Sequence, residues 1–348
     1  MTTSVSARGR TVLSSFVRWE TLLIVLVLGL IWVGTTVSPV FLTPRNFTNL
    51  VTAVIEVAII ALAMTLIIIA GEIDLSVESM AGLSCALLGF LFAAGIPLEV
   101  GIPAVLLVGA LGGLLNGLLV TRFGLPSLVV TLGTLALFRG LALGILGPKG
   151  VTGFPESFTS FGFGTVPGTP IPWPFLIFLG LALVLGIVLH GTWIGRQIYA
   201  VGKNAAAARY SGVRVARIKL WLFVLSGVVS ALAGVILTAR FASARADIGQ
   251  GMTLTVVTVV LLGGVNIFGG RGTIPGVALA ALVLAILGNV LRLTNISAEI
   301  QSISVGLLLI ISVVIPNLAH QAKSAMDRAR GGRRTSAGSV GPGEVVSP

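Results

Sequence analysis

The sequence predicts an all-α polytopic membrane protein of about ten transmembrane helices, and three observations carry that expectation. Of the 348 residues, 55% are hydrophobic and 9% are charged, whereas a soluble domain carries about a quarter of its residues charged. The apolar residues fall into runs close to the roughly 20 residues that a hydrocarbon core requires of a helix. The basic residues behind the net charge of +11 are grouped at Arg8, Arg10 and Arg18, in a central loop, and in a tail carrying Lys323, Arg328, Arg330, Arg333 and Arg334. That is the distribution expected of cytoplasmic segments, and it argues against nucleic acid as a partner.

Each run is bounded by glycine, proline or charge. The first, 21–37, follows arginines as a signal peptide would, but it is long and lacks a small-x-small cleavage site, so it reads as an uncleaved span. The second, 47–70, stops at Gly71-Glu72, and the third, 75–94, stops at Gly95. The fourth, 102–120, closes on Arg122, and the fifth, 125–146, on Gly147-Pro148. The sixth, 171–190, ends at His190, and the seventh, 220–239, lies between Lys219 and Arg240. The eighth, 252–268, runs into Gly269-Gly270-Arg271, the ninth is 274–293 and the tenth 300–318.

An even number of spans places both termini on one side, and the arginine-rich ends make that side cytoplasmic. The same count puts Arg122, the central loop and Arg271 inside and the segment 148–170, with Lys149 as its one basic residue, outside. The expected organisation is a cytoplasmic N-terminal segment at 1–19, a transmembrane domain at 20–320 with a cytoplasmic loop at 191–219, and a basic tail at 321–348. The Arg, Gly and Ser of that tail cannot bury apolar surface, which predicts disorder. Ile102-Pro103-Ala104-Val105 through Leu115-Asn116 resembles Ile274-Pro275-Gly276-Val277 through Gly288-Asn289. In this topology the two copies cross in opposite directions, as in an inverted repeat.

The loop at 195–219 is the only long polar, basic stretch between apolar segments. Asn204 is placed to cap a short helix over 205–210, and Gly212 to end it in the left-handed conformation. Four alanines favour that helix and leave a smooth face for a partner. Three of the chain's 11 acidic residues, Glu72, Asp74 and Glu78, lie within 71–79, between two apolar spans. Two readings are open there: a broken helix lining a cavity, or a cytoplasmic turn in which Asp74 or Ser76 caps the next helix. Glu56, Asn116, Arg139, Asn266 and Asn289 fall inside apolar runs and must face protein or water, as helix–helix contacts or as solute contacts. Glu56 and Arg139 are candidates to pair with each other or with Asp74. The glycine clusters 109–113 and 263–270 permit close helix packing.

Several chemistries find no support. A phosphate-binding loop needs Gly-x4-Gly-Lys-Ser/Thr, but Gly202-Lys203 is followed by Asn204 and position 197 is Gln. Cys85 is the one cysteine, so an intrachain disulfide and a thiolate metal site are both excluded. His190 and His320 fall at span ends, and no metal-ligand cluster, nucleophile elbow or catalytic dyad is visible. A membrane-embedded enzyme is therefore disfavoured.

Four blocks, in order across residues 47–315, resemble the permease subunits of bacterial ATP-binding-cassette importers for monosaccharides, the family of ribose, xylose, rhamnose and autoinducer-2 permeases. They are Ala63-Met64-Thr65-Leu66 with Gly71-Glu72-Ile73-Asp74-Leu75-Ser76-Val77; Thr131-Leu132-Gly133-Thr134 with Arg139-Gly140; Gly195-Arg196 through Gly202-Lys203-Asn204, Ala207, Ser211-Gly212-Val213 and Lys219; and, more weakly, Gly263-Gly264 through Phe268-Gly269-Gly270-Arg271-Gly272. The rhamnose and autoinducer-2 branches are the nearest. The resemblance implies a ten-span fold with inverted halves, related to the vitamin-B12 permease. It implies that Gly202, Asn204, Ala207, Ala208, Ser211 and Gly212 belong to a coupling element seated on a separate ABC ATPase, which hydrolyses ATP with Mg²⁺, so that this chain binds no cofactor itself. It implies an extracytoplasmic sugar-binding protein and a second permease subunit, identical or a paralogue, as partners. Asp74, Ser76, Asn116, Thr131, Arg139, Asn266 and Asn289 are the candidates for the translocation path. The chain departs from the family's pattern at Glu72 and Glu78, where glycine is usual, and near Met252-Thr253-Leu254-Thr255, where an acid is common. The alternative class is a stand-alone secondary transporter of a small polar solute, for which Glu56 and Asp74 are the only candidate proton or ion carriers.

Overall fold

The computed structural model describes the backbone of residues 5–312 and 314 and the side chains from Trp19 onward. The side chains of Arg8, Arg10 and Arg18, together with His320 and the tail at 321–348, lie outside the described residues. In chain order the helices are α1 (Val5–Val37), α2 (Pro44–Thr52), α3 (Ile55–Ile69), α4 (Val77–Ala93), α5 (Leu98–Thr121) and α6 (Ser127–Leu146). A two-residue strand β1 (Val151–Thr152) and α7 (Glu156–Phe163) follow. Then come α8 (Trp173–Gly191), α9 (Trp193–Lys203), α10 (Ala205–Tyr210) and α11 (Val215–Phe241). The chain continues with β2 (Ser243–Ala244), α12 (Met252–Leu262), α13 (Ile274–Leu293) and α14 (Ala298–Ser312).

Among the described residues, six helices are long and apolar enough to cross a membrane: the Trp19–Val37 part of α1, α5, α6, α8, α11 and α13. A seventh crossing arises if α2 and α3, which bend by 46° at their junction, are taken as one broken span. The apolar helices α4, α12 and α14 are shorter. The bend has a local cause. Val54 sits at φ −126° and ψ 0°, outside the helical region, and α3 starts without a side-chain cap. The eighth apolar run is the one whose helix differs most from expectation. Helix α12 stops at Leu262 because Gly264 turns left-handed at φ +84°, which leaves 263–273 as a loop rather than the end of a span.

Burial sorts the helices. In α3 every residue but Val57 is buried, so this helix is apolar all round and lies at the centre. Of the apolar window of α11, 67% is buried, against 17% for α1 and 22% for α8, whose outer faces carry exposed Leu, Ile and Val. Helix α11 packs on α5 through backbone rather than side chain. A Cβ on Gly109 would lie 2.6 Å from the Gly227 carbonyl oxygen, one on Gly113 2.2 Å from that of Phe223, and one on Gly227 2.1 Å from that of Gly109. Small residues four apart permit this approach where lipid offers helices no hydrophobic incentive to associate.

The bundle has two ends. At one, α9 and α10 lie beside the start of α11. At the other, β1 pairs with β2 in antiparallel register, Val151 opposite Ala244, and the α7 glycine Gly162 abuts the Ala239–Arg240 backbone. Helix α5 runs from the hairpin end, where Leu98 packs near Phe154, to the α10 end, where Gly117 meets Leu220. Helix α13 runs the other way, from Ile274 beside His190 to Asn289 on α2. The two proline-bearing segments with similar sequences are therefore antiparallel.

Candidate functional site

The α3–α4 connection, Ala70–Ser76, opens the helical path inside the bundle. Gly71 takes φ +82°, and the Gly71 and Glu72 N–H groups bond back to Ile68 and Ile67, closing α3. Asp74 is 2% exposed, and its carboxylate accepts three hydrogen bonds: from the Ser76 N–H at 3.0 Å, the Ser76 hydroxyl at 2.6 Å and the Ser226 hydroxyl of α11 at 2.7 Å. Asn116 of α5 donates to the Ser76 hydroxyl at 2.9 Å, while its own amide oxygen, equally buried, has no partner among the described residues. Ser127 of α6 accepts from the Ile73 N–H, and Thr131 donates to the Ser127 and Ile73 carbonyls. A buried carboxylate is tolerated only when hydrogen bonds replace its hydration. Here helices α5, α6 and α11 supply donors or supports for one break.

A second break meets the first from the opposite end. The segment 245–251 descends from the hairpin to the start of α12, whose N-cap residue Gly251 has no side chain to offer. Glu78 of α4 fills that role across the bundle: its Oε2 accepts the Thr253 N–H at 2.9 Å, and the Thr253 hydroxyl reaches the Leu75 carbonyl at 3.4 Å. A carboxylate at a helix N-terminus also complements the dipole. Arg139 of α6 closes the group, donating to the Ala246 and Ile248 carbonyls at 2.6 and 3.2 Å with its guanidinium 3.9 Å from Glu78. The N-termini of two broken helices thus face each other in the interior, the arrangement by which transporters present backbone and polar groups to a solute without exposing them to lipid.

The α10 end holds the other part. Asn204 accepts the Ala207 N–H through its side-chain oxygen at 3.0 Å. At the far end the Gly212 and Val213 N–H groups bond to the Arg209 and Ala208 carbonyls, with Gly212 at φ +84°. That is a Schellman cap, which uses a left-handed glycine to satisfy the last carbonyls. Ala208 is turned inward onto Val201 and Val215, so the outward face consists of Ala206, Ala207, Arg209 and Tyr210, the last 93% exposed. Ser211 is exposed, its hydroxyl bonded to the Ala207 carbonyl.

Gly202 joins this element to the break. A Cβ there would lie 1.7 Å from the Ile69 carbonyl oxygen and 2.6 Å from the Gly270 nitrogen, and those two atoms share a 2.8 Å hydrogen bond. Gly269, at φ +86°, would place a Cβ 3.0 Å from both the Gly71 Cα and the Gly202 oxygen. Three chain segments therefore meet backbone to backbone: the end of α3, the end of α9 and the loop after α12. Two side chains reinforce the junction. The Tyr199 hydroxyl donates to the Gly272 carbonyl at 2.6 Å, and Lys219 of α11 forms an ion pair with Glu72. Burial pushes the Tyr199 phenol up to about 12, so it stays a neutral donor at any physiological pH.

The sequence-derived candidates divide accordingly. Asp74, Ser76 and Asn116 form one network with Thr131 beside it, and Arg139 joins through Glu78 rather than through Asp74 or Glu56. Glu56 instead faces Arg240 of α11 at 2.8 Å. Asn266 lies in the loop after α12, where its side chain accepts the Phe268 N–H at 2.9 Å. Asn289 exchanges hydrogen bonds of 2.9 and 2.8 Å with Asn46 of α2, a buried helix–helix contact away from the Asp74 network. Ser226 was not foreseen, because one serine in an apolar run carries no mark of its partner. Among the described residues no group of three or more His, Cys, Asp or Glu is placed to hold a metal.

A bundle with apolar outer faces and two facing helix breaks at its interior has the architecture of a membrane permease. Residues 46–313 match the family described as the branched-chain amino acid transport system / permease component. The chain belongs to that family: it is the membrane-spanning permease subunit of an ATP-binding-cassette importer, not an enzyme. It is 42% identical over 264 residues, 74% of this chain and 79% of the relative, to the autoinducer 2 import system permease protein LsrD of Yersinia enterocolitica. To the protein of the same name from Photorhabdus luminescens it is 39% identical over 289 residues, 80% of this chain and 86% of the relative. No solved structure matches.

Proposed function

We propose that this chain moves a monosaccharide or sugar-like solute, of the class its autoinducer-2 relatives are named for, into a bacterial cell by alternating access. The energy comes from a separate ATPase subunit, which binds ATP and Mg²⁺, seated on the outward face of α10. The proposal adopts ten crossings: the six long helices, the broken pair α2–α3, and α4, α12 and α14. It arranges them as inverted halves related to the vitamin-B12 permease. Both termini and the α10 end are cytoplasmic, with the domain at 20–320 flanked by the segments 1–19 and 321–348. An extracytoplasmic binding protein delivers the solute at the hairpin end, and a second permease subunit completes the pathway.

The observation that carries this reading is the backbone junction at Gly202. A displacement of α10 reaches Ile69, Gly71 and Gly270 with no flexible side chain in between, and the broken segment beyond them holds Asp74, Ser76 and Asn116. Close-packed interiors transmit such shifts rather than absorb them. Thr131 and Arg139 line the same interior.

The test is ATP-driven uptake in vesicles containing the permease, its ATPase and its binding protein. Deletion of Ala205–Tyr210, or Gly212→Arg, is expected to abolish uptake while the chain still inserts in the membrane. Undiminished ATP-driven uptake by the deletion variant would sink the coupling role. Uptake by the permease without any ATPase would favour the secondary-transporter alternative.

A further inference from the structure

Beside α10 lies a cavity of about 600 Å³ between α9 and the first turns of α11. Its walls include Trp193 and Gln197 of α9, Arg214, Arg217 and Trp221 at the start of α11, and Gly212, the residue that closes α10. The spacing explains the lining. Residues 193 and 197 lie four apart on α9, while 214, 217 and 221 fall on one face of α11, so each helix turns one stripe toward the other.

Three properties select an occupant. First, the polar groups are available: the side chains of Gln197, Arg214 and Arg217 make no hydrogen bond or ion pair within the described residues, both arginines are exposed, and no side chain caps α11. Two free guanidinium groups beside an uncapped helix N-terminus favour an anion. Second, the cavity lies where two spans end. Helix α8 stops at Gly191 and α11 begins at Val215, and Trp193 and Trp221 are 60% and 63% exposed there. Tryptophan prefers that level of a bilayer. Third, the lining changes character in order along α11: Arg214 and Arg217 at its start, then Trp221 and Leu222 one turn further along the helix. A soluble anion would use only the arginines, whereas a lipid headgroup continued by acyl chain would use both.

We propose that this cavity binds an anionic phospholipid, its phosphate held between Arg214 and Arg217 and its chain laid along Trp221, so that lipid occupancy abuts the turn that closes α10. The assignment to the cytoplasmic leaflet rests on the orientation proposed above. The binding itself does not, and it is read out without substrate or nucleotide.

The assay is native mass spectrometry of the intact permease–ATPase complex released from nanodiscs containing equal phosphatidylglycerol and phosphatidylcholine. Retention of phosphatidylglycerol over phosphatidylcholine is expected. The pair R214Q/R217Q should reduce that preference by about tenfold to thirtyfold, since a basic side chain near an anionic surface contributes about a factor of five. Arg217→Lys, which keeps the charge, should retain most of it, and this variant serves if the double one fails to fold. Equal retention of the two lipids by the wild type, or an unchanged preference in R214Q/R217Q, would overturn the proposal. Cross-linking of Trp193→Cys to the ATPase or to a second permease in intact membranes would also overturn it, by giving the cavity a protein occupant.

Discussion

Gly202→Ala adds one methyl group at the tightest of the described glycines. That Cβ would lie 1.7 Å from the Ile69 carbonyl oxygen. A carbon and a carbonyl oxygen settle at about 3.3 Å, so the end of α9 must withdraw by about 1.6 Å. The methyl would also stand 2.6 Å from the Gly270 nitrogen, inside the 2.8 Å hydrogen bond that Gly270 donates to Ile69. No side chain can swing aside, because all three neighbours are backbone. Overpacking of this kind costs about 1–3 kcal/mol, and a broken buried hydrogen bond about 1 kcal/mol more. The expected loss of stability is then roughly 2–4 kcal/mol, with α10 displaced from the break. Two measurements separate the consequences: the melting midpoint of the purified chain in detergent, and uptake per ATP hydrolysed in vesicles. We expect a lower midpoint together with at least a tenfold fall in uptake, and ATP hydrolysis that no longer responds to substrate. A Gly202→Ala chain with the wild-type midpoint and wild-type uptake would refute the argument that this backbone contact is needed.

Gly212→Ala is the matched contrast. Its φ of +84° is left-handed, but nothing lies within 4 Å of the added Cβ, so only the conformational penalty of about 1–2 kcal/mol applies. Uptake should stay within a few fold of wild type, and a complete loss would mean that the ATPase contacts Gly212 itself. Glu78→Ala leaves the Thr253 N–H uncapped and takes the carboxylate from beside Arg139. A loss of about 1–3 kcal/mol is expected in a denaturation midpoint, with Glu78→Gln intermediate because it keeps an acceptor. Asp74→Asn replaces an acceptor of three hydrogen bonds with a group that is half donor. Uptake should fall several-fold, whereas Asn289→Asp, far from the break, should lower stability more than uptake. On the hairpin side, Arg245 hydrogen-bonds Asp247 and holds its carboxyl below the ordinary 3.8. A depressed carboxyl stabilises the fold above its ordinary value, and the contribution fades as pH falls through the lowered one. The melting midpoint should therefore not change between pH 7 and pH 5 on account of this pair, and since the pair is exposed, Asp247→Asn should shift it little at any pH.

What the sequence discloses is what local chemistry decides. Asn204 and Gly212 could be placed because a cap and a Schellman turn need only residues within a few positions of each other. Apolar runs mark helices because backbone groups in lipid have no other partner. The rest depends on contacts between residues distant in the chain. Ser226 bonds Asp74 across 152 positions, Glu78 caps a helix 175 positions later, and Ala208 faces inward only because Val201 and Val215 are there to receive it. Asn266 is instructive: its run is apolar enough to read as one span, yet Gly263-Gly264 ends the helix first. That pair of glycines was visible, but its weight against the apolar residues around it was not. Glu72 and Glu78, departures from the related permeases' pattern, proved to be paired with Lys219 and the start of α12.

Helix α11 carries a mechanical consequence. Its 27 residues measure about 40 Å at 1.5 Å each, and it touches the α10 turn at one end and Glu56, through Arg240, at the other. A stiff rod pivoting near its start magnifies motion with distance: a tilt of about 5° carries the far end roughly 3.5 Å sideways. Arg240 and Glu56 are 2.8 Å apart, so such a tilt separates them fully. The ion pair is thus a tie at the long end of a lever, fixing the far end of α11 to the start of α3 where a small tilt would be felt most.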